Sequence, residues 1–393
     1  MERQRKNLKH SRDRGPNAFS LPSVAVVLVN WNGWRHTIEC LDALLAQAYT
    51  NFRVYVVDND SQDQSVERIS AWCAKPIADA SWLRHDGVER HCARVPAVSV
   101  PCRILCSTVN PQMPEVVQCP VTLISTGKNF GFAGGCNVGI RYASLTPFDY
   151  YWLLNTDTVV CRDALAAMIR RAEREPKPGM VGSTIRYYDR PGIVQAMGGG
   201  RLGVSGVTWG LIGQGSRLDD SAKLAAGVER EISYVMGASM LVSAQYIRDV
   251  GLMQDDYFLY YEEIDWAMRG KGKFALGYAP DSFVFHKSGA SSSKVMPMFS
   301  ANLYYRNSIR FMSRFLPERI GALKRHLLLE VLRYGMKGEW ALSKLVLGIL
   351  RDAAKIQLEA RSSINSMQLR LSADGRTKPP IARSRASACQ PSE

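Results

Sequence analysis

The feature that most constrains this chain is a recurring pair: a short, continuous apolar run that stops abruptly at a polar loop. Val24-Ala25-Val26-Val27-Leu28-Val29 runs into Asn30-Trp31-Asn32-Gly33, and Phe52-Arg53-Val54-Tyr55-Val56-Val57 runs into Asp58-Asn59-Asp60-Ser61. Val121-Thr122-Leu123-Ile124 precedes the glycine-rich stretch Gly127–Gly135, and Tyr150-Tyr151-Trp152-Leu153-Leu154 ends in Asn155-Thr156-Asp157-Thr158. Runs without polar alternation read as strands covered on both faces. Helical spacing lies between them, as in Ile38, Leu41, Leu44 and Leu45, and again in Leu165, Met168 and Ile169. Strand, helix, strand in this order predicts a parallel α/β sheet. Such sheets bind ligands outside the carboxyl ends of their strands, where these polar loops lie.

Charge divides the chain of 393 residues. Positions 21–295 hold 27 basic and 27 acidic side chains, positions 1–20 six and two, and positions 296–393 seventeen and seven, so the whole excess of +14 sits on the flanks. A neutral body with basic ends points to an anionic surface met by the flanks, and the apolar stripes of the C-terminal region (Leu342, Leu345, Val346, Ile349) favour membrane over nucleic acid. No apolar stretch approaches the roughly 18–20 residues of a membrane span. The first 20 residues lack the apolar core of a secretory signal. Nine cysteines without regular spacing argue against a disulfide framework and for a reducing compartment. The expected organisation is a basic disordered N-terminus over 1–20, one α/β domain over 21–300, amphipathic helices over 301–365 and a basic disordered tail over 366–393. Positions 73–120, rich in Pro, Cys, Arg and His, show neither period and read as an insertion or long loop. Their His91, Cys92, Cys102, Cys106 and Cys119 fit no standard spacing of zinc ligands.

Three places carry candidate chemistry. Asp157, just past a buried strand, can reach a cation with its carboxylate, although an acid before a helical run also serves as a helix cap. Glu262, Glu263 and Asp265 crowd three carboxylates into four residues behind Phe258-Leu259-Tyr260-Tyr261. Mutual repulsion raises the pKa of at least one and suits it to general base work, while first-turn acids also complement a helix dipole. His286 closes the apolar run Phe283-Val284-Phe285, where a histidine is either structural or a ligand.

Asn-Trp-Asn-Gly at 30–33, Val-Asp-Asn at 57–59, Asn-Phe-Gly-Phe-Ala-Gly-Gly at 129–135, Asn-Thr-Asp-Thr at 155–158, Gly237-Ala238 and Phe-Leu-Tyr-Tyr-Glu-Glu-Ile-Asp at 258–265 occur in that order. Together, over about residues 22–310, they resemble family 2 glycosyltransferases, nearest the rhamnosyltransferase-like enzymes of bacterial cell-surface polysaccharide synthesis. The resemblance implies a GT-A fold, a Rossmann-like mixed sheet flanked by helices, here with a C-terminal helical extension. It implies inverting transfer of a sugar, rhamnose among the candidates, from a nucleotide-sugar donor to a hydroxyl of a glycan or lipid-linked acceptor. Asn30, Asp58 and Asn59 would meet the nucleoside, and Asn129 and Asn137 would shape the donor pocket. Asn155 and Asp157 occupy the metal motif, with Asp157 and His286 holding Mg²⁺ or Mn²⁺. Glu263 would be the base, with Glu262 and Asp265 as alternatives. Gly237, Ala238, Glu262 and Asp265 would face the acceptor or sugar. Asn155 replaces the motif's first carboxylate, and Glu263 stands where Asp is usual. The implied place is cytoplasmic, peripheral on the inner face of the cell membrane, with no nucleic-acid partner. Two rivals share the fold: a sugar nucleotidyltransferase, which would want a Lys/Arg-bearing glycine loop after the first strand, and a non-catalytic membrane-associated scaffold.

Overall fold

In the computed structural model the described residues are 21–75, 88, 100–106, 119–203, 207–287 and 297–360. The segments expected to be disordered at the two ends, and His91 and Cys92 of the Cys/His cluster, fall outside them. The apolar runs form strands where expected: β1 (Val24–Asn30), β2 (Phe52–Asp58), β4 (Val121–Ser125) and β5 (Tyr150–Asn155). One correction falls in the segment read as an insertion: helix α2 (Ser65–Ala74) enters it, and Cys102–Cys106 within it forms strand β3, parallel to β4. Half-buried edge strands lack the continuous apolar run that marks a central one, so the pattern could not show it. The remaining strands are β6 (Thr158–Val160), β7 (Pro178–Tyr187), β8 (Val194–Met197), β9 (Gly199–Leu202), β10 (Trp209–Leu211), β11 (Tyr234–Val235), β12 (Ser239–Ser243) and β13 (Ala275–His286).

Ten strands form one mixed sheet in the order β3-β4-β2-β1-β5-β12-β7-β13-β6, with β8 beside β7. The parallel half (β3, β4, β2, β1, β5) is the predicted α/β unit; β12 runs antiparallel between β5 and β7. Helices α1 (Trp34–Leu45), α3 (Gly131–Ala143) and α4 (Ala164–Glu173) follow β1, β4 and β6. The core is the apolar filling of these strands with Ile38, Leu41 and Leu44 of α1 and Leu165 and Met168 of α4, all at most 1% exposed. The structure thus has the expected mixed α/β architecture with C-terminal helices.

The glycine-rich stretch has a packing role in this core. A Cβ on Gly135 would stand 2.7 Å from Val29, and one on Gly139 would stand 2.4 Å from Val27. Spaced four apart on α3, these two glycines let the helix backbone lie directly on β1. Helix α3 fixes where the Asn129 loop meets the strand ends.

The chain divides into two compact units. The first holds residues 1–201, 209–258 and 262–292, including α5 (Leu218–Glu231), α6 (Ala244–Val250) and α7 (Glu262–Gly270). The second holds 202–208, 259–261 and 293–393. Within it, α8 (Met298–Phe315), α9 (Ile320–Met336) and α10 (Trp340–Arg351) pack through buried Leu323, Leu327, Leu342, Val346 and Ile349. Hydroxyl contacts tie Tyr305 to Tyr334 at 2.8 Å, and Ser343 donates to the Val331 carbonyl at 2.9 Å.

Replacing Gly139 by alanine forces a methyl into the α3–β1 contact. We expect a loss of about 1–3 kcal/mol in urea unfolding at unchanged m-value, the usual cost of overpacking a core.

Candidate active site

The polar residues that end the parallel strands form a linked network. Asn30, fully buried at the end of β1, donates through Nδ2 to Asp58 Oδ1 at 2.8 Å and to Ser61 Oγ at 3.0 Å, and its Oδ1 accepts from Thr37 of α1 at 2.7 Å. Asp58 also accepts the Ser61 amide at 3.1 Å. The adjacent Asn59 donates to Asn129 Oδ1 at 3.0 Å and to the Gly131 carbonyl at 2.9 Å, and accepts from the Phe130 amide. Amides and a carboxylate buried at strand ends must find partners, and here they find each other, which locks three loops into one rim. Asn137 does not join that rim. Its side chain is spent at both ends on the backbone of Met253, at 2.9 and 3.1 Å. Its contribution is to hold the segment before the Phe258 turn.

Asp157 lies in the two-residue turn from β5 to β6. A strand follows it, and the next helix starts only at Ala164, so the helix-cap reading does not hold. Strand β6 pairs antiparallel with β13, with Thr158 opposite His286. This brings His286 Nε2 to 3.2 Å from Asp157 Oδ1, and the Lys287 amide donates to the Asp157 carbonyl at 3.0 Å. Burial alone would raise the Asp157 carboxyl, but the hydrogen bond and charge of His286, with His36 behind it, hold it below the usual carboxylate range. His286 Nδ1 lies 2.9 Å from Gln195 Oε1 on β8. An amide oxygen can only accept, so it keeps the proton on Nδ1 and directs Nε2 toward Asp157. Behind the pair, buried Glu39 of α1 meets Lys287 and accepts from Tyr188 Oη at 2.6 Å; Lys287 also lies 2.9 Å from His36 Nδ1.

Could this pair hold a divalent cation? One carboxylate oxygen and one imidazole nitrogen, side by side and oriented by an amide behind, supply an oxygen ligand of the type both Mn²⁺ and Mg²⁺ take and a nitrogen that suits Mn²⁺ better than Mg²⁺. Among the described residues no group of three His, Cys, Asp or Glu side chains converges, so the remaining ligands must be water or the oxygens of a bound diphosphate. The donor set fits on those terms. The Asn155 amide N donates to the Ala238 carbonyl at 3.1 Å, which anchors the metal-motif strand against the Gly237–Ala238 loop.

Glu262 and Glu263 open α7, where the helix dipole favours acids. Glu262 is 3% exposed, and one carboxyl oxygen of each glutamate is buried without a hydrogen-bond partner. Burial, and for Glu262 also the charge of Glu263, pushes both pKa values up, that of Glu263 to about 7. Asp265, expected at the sugar pocket, is instead a structural ion: it accepts from Arg269 Nε at 2.8 Å and Tyr257 Oη at 3.0 Å. The chain reaches this helix through a strained turn, with Phe258, Tyr260 and Tyr261 all at positive φ (63°, 68° and 76°). Bulky residues there cost of order 1–3 kcal/mol each and persist only where surroundings dictate them. Gly131 is one reason they can: a Cβ on it would stand 2.3 Å from the Phe258 carbonyl, which accepts the Phe132 amide at 2.7 Å. Asn307 is another, donating to the carbonyls of Leu259 and Tyr260 at 2.8 and 3.1 Å.

Sequence reasoning missed Gln195, Ser61, Thr37 and Glu39. Gln195 sits in a stretch of no clear period, and nothing local marks it. Glu39 carried a signal, an acid beside the apolar positions Ile38 and Leu41 of one helix.

The glycosyl transferase family 2 model matches residues 25–82 and 115–200. Over these residues the chain is similar to that family. The match takes in Asn30, Asp58, Asn59, Asn129, Asn155 and Asp157, whereas Glu263 and His286 lie beyond it. A more particular likeness is to the N-acetylglucosaminyl-diphospho-decaprenol L-rhamnosyltransferase of Mycobacterium tuberculosis (strain CDC 1551 / Oshkosh), 25% identical over 197 residues, which are 44% of this chain and 61% of that protein. The chain thus spans less than two thirds of the length of its curated relatives. Among solved structures, it is similar to the mannosyltransferase PcManGT from Pyrobaculum calidifontis in complex with GDP-Man and Mn2+ (15% identity, 95% of this chain and 86% of that one, TM-score 0.47). It is also similar to TarS 1-349 of S. aureus (10% identity, 85% and 91%, TM-score 0.42).

The raised carboxyls make a stability prediction. A folded-state pKa above the unfolded value of 4.5 stabilises the fold fully only below that value, and the contribution is lost as pH rises through about 7. Glu262→Gln removes one ionisation and keeps the shape. In urea unfolding it should be more stable than the parent at pH about 8 and converge with it near pH 4. Equal gains at both pH values would mean that Glu262 is not held protonated.

Proposed function

We propose that this chain transfers a sugar from a nucleotide-sugar donor to an acceptor hydroxyl in a single displacement, inverting the anomeric carbon. The observation that carries the reading is the Asp157–His286 pair at 3.2 Å, oriented by Gln195, at the end of the sheet whose other strand ends carry the Asn30–Asp58–Asn59 rim. The rim is suited to a nucleoside through whatever donor and acceptor capacity the network leaves, with Asn129 beside it. Asp157 and His286 would hold Mg²⁺ or Mn²⁺ with Asn155 alongside; bound there, the ion would neutralise charge that develops on the departing diphosphate. Glu263 is the base: its carboxylate takes the proton of the acceptor hydroxyl as the oxygen attacks the anomeric carbon. A pKa near 7 leaves it about half ionised near neutral pH and able to bind a proton firmly. Gly237 and Ala238 would leave room for sugar or acceptor, and Glu262, held neutral by burial, would donate rather than accept. Nothing marks a second carboxylate as a nucleophile, which favours inversion over a covalent intermediate.

The donor sugar and acceptor follow the curated relative's name, which joins L-rhamnose to a lipid-linked diphospho-glycan. By that analogy we propose rhamnose and a lipid-linked or polysaccharide acceptor, with the protein cytoplasmic and peripheral on the inner face of the cell membrane. Among the described residues no helix is long and apolar enough to cross a membrane.

Glu263→Gln should lower kcat by about 10²–10⁴-fold with donor binding, read by thermal shift, nearly unchanged. The parent's kcat should rise with pH through about 7 and level off above it, because the ionised carboxylate is the active form. If Glu262→Gln loses that activity and Glu263→Gln keeps it, the base is the other glutamate.

Donor hydrolysis or transfer should stop in excess chelator and return with Mn²⁺ or Mg²⁺. Asp157→Ala should lose most activity while its far-UV spectrum and unfolding midpoint stay close to the parent's. Full turnover in chelator would remove the metal from the mechanism.

A further inference from the structure

Helix α9 has two faces that do not match its surroundings in the same way. Leu323 and Leu327 are buried on one side. On the other, Leu328, Leu329, Leu332 and Met336 recur at spacings of three and four and stay exposed, Met336 to 84%. Trp340 extends the stripe past the helix end: it is 63% exposed, and its ring edge lies 3.5 Å from the point where a Cβ on Gly335 would stand. Five large apolar side chains lined up in water are far from the scattered exposed hydrophobics of an ordinary surface.

The charges around the stripe are predominantly positive. Positions 320–340 carry Lys324, Arg325, Arg333 and Lys337 against Glu330, which meets Arg333 at 3.2 Å, and Glu339. Arg325 and Lys337 are exposed. Arg325 falls on the apolar stripe itself by helical spacing, and Lys324 and Arg333 flank it on opposite sides. A second copy of this chain would bring the same positive charges together, which disfavours self-pairing. An acyl and headgroup boundary satisfies both features, taking the leucines and tryptophan into its apolar edge and the cations onto its phosphates. We propose that the Leu328–Trp340 face of α9 is a docking surface for an anionic lipid bilayer, with the helix lying along the interface. The face deepens the peripheral location proposed above, but its test needs no sugar transfer.

The test is co-sedimentation of the full chain with phosphatidylcholine vesicles, with and without phosphatidylglycerol. Binding should require the anionic lipid and weaken steeply with salt, since each Lys or Arg near such a surface is worth about a factor of five and is screened by ions. The charge reversals Lys324→Glu, Arg325→Glu and Lys337→Glu together, and separately Leu329→Glu with Met336→Glu, should each lower partitioning by more than about tenfold. In the parent, Trp340 emission should shift to the blue on vesicles and be quenched by brominated acyl chains, and Trp340→Phe should remove that component. The substituted positions are exposed except Lys324, which is half-buried, and unchanged circular dichroism and donor hydrolysis in solution will show that the fold survives. Undiminished vesicle binding by both variants would overturn the proposal and assign any membrane contact to the basic segments at 1–20 and 361–393. So would loss of self-association in the Leu329→Glu, Met336→Glu variant at unchanged vesicle binding, since the face would then be a subunit contact. A failed hydrolysis assay with intact binding would count against the catalytic reading alone.

Discussion

The hydrogen bond between Asp157 and His286 is the contact on which the site turns. Neither residue is near the other in sequence. What joins them is a three-residue strand, β6, that leaves the middle of the sheet after Asn155 and pairs at the far edge with β13. That crossing sets Thr158 against His286 and leaves the turn residue Asp157 pointing along the histidine's edge. A one-residue slip in the pairing would send the imidazole to the other face of the sheet, away from Asp157. The short strand is held on both sides: Val159 and Val160 are fully buried or nearly so, and the Cys161 amide donates to the Phe283 carbonyl. Hydrophobic burial therefore fixes the register, and the register makes the site.

At Glu262 and Glu263 the protein carries two features that cost stability. Glu262 and Glu263 each keep a carboxyl oxygen out of water without a partner, an arrangement that a core selected for stability alone would avoid. The turn before them runs through three aromatic residues at positive φ, held by the hydrogen bonds that the Phe258, Leu259 and Tyr260 carbonyls receive. Both costs buy definition: a carboxyl with a pKa near neutrality and a backbone with one conformation. By contrast the third acid of the cluster, Asp265, accepts hydrogen bonds from both Arg269 and Tyr257.

Much of this was legible in the residues alone. The apolar runs gave β1, β2, β4 and β5, because a strand covered on both faces has no polar positions to hide it. The polar residues that end those runs could only lie at the sheet's carboxyl edge. The glycines before and within α3 were visible, though their spacing of four pointed to helix-on-strand packing only once Val27 and Val29 were seen beneath them. Strand β3 was lost because an edge strand lacks the continuous apolar signature, and Asp265 looked equal to its neighbours because an ion pair four residues along a helix competes with any other use of an acid.

What the sequence determined by itself was the family of the fold, the position of the loops and the identity of the acids and amides in them. Those follow from local patterns of period and polarity, which short segments carry. The tertiary structure alone decided which groups meet. Gln195 behind His286 and Asn307 on the turn before the glutamates come from distant segments with no local mark; Ser61, Thr37 and Glu39 lie in or beside recognisable segments, but nothing local shows that they meet Asn30 and Lys287. Their partnerships depend on strand order and register, which are properties of the whole sheet and of no single stretch of chain.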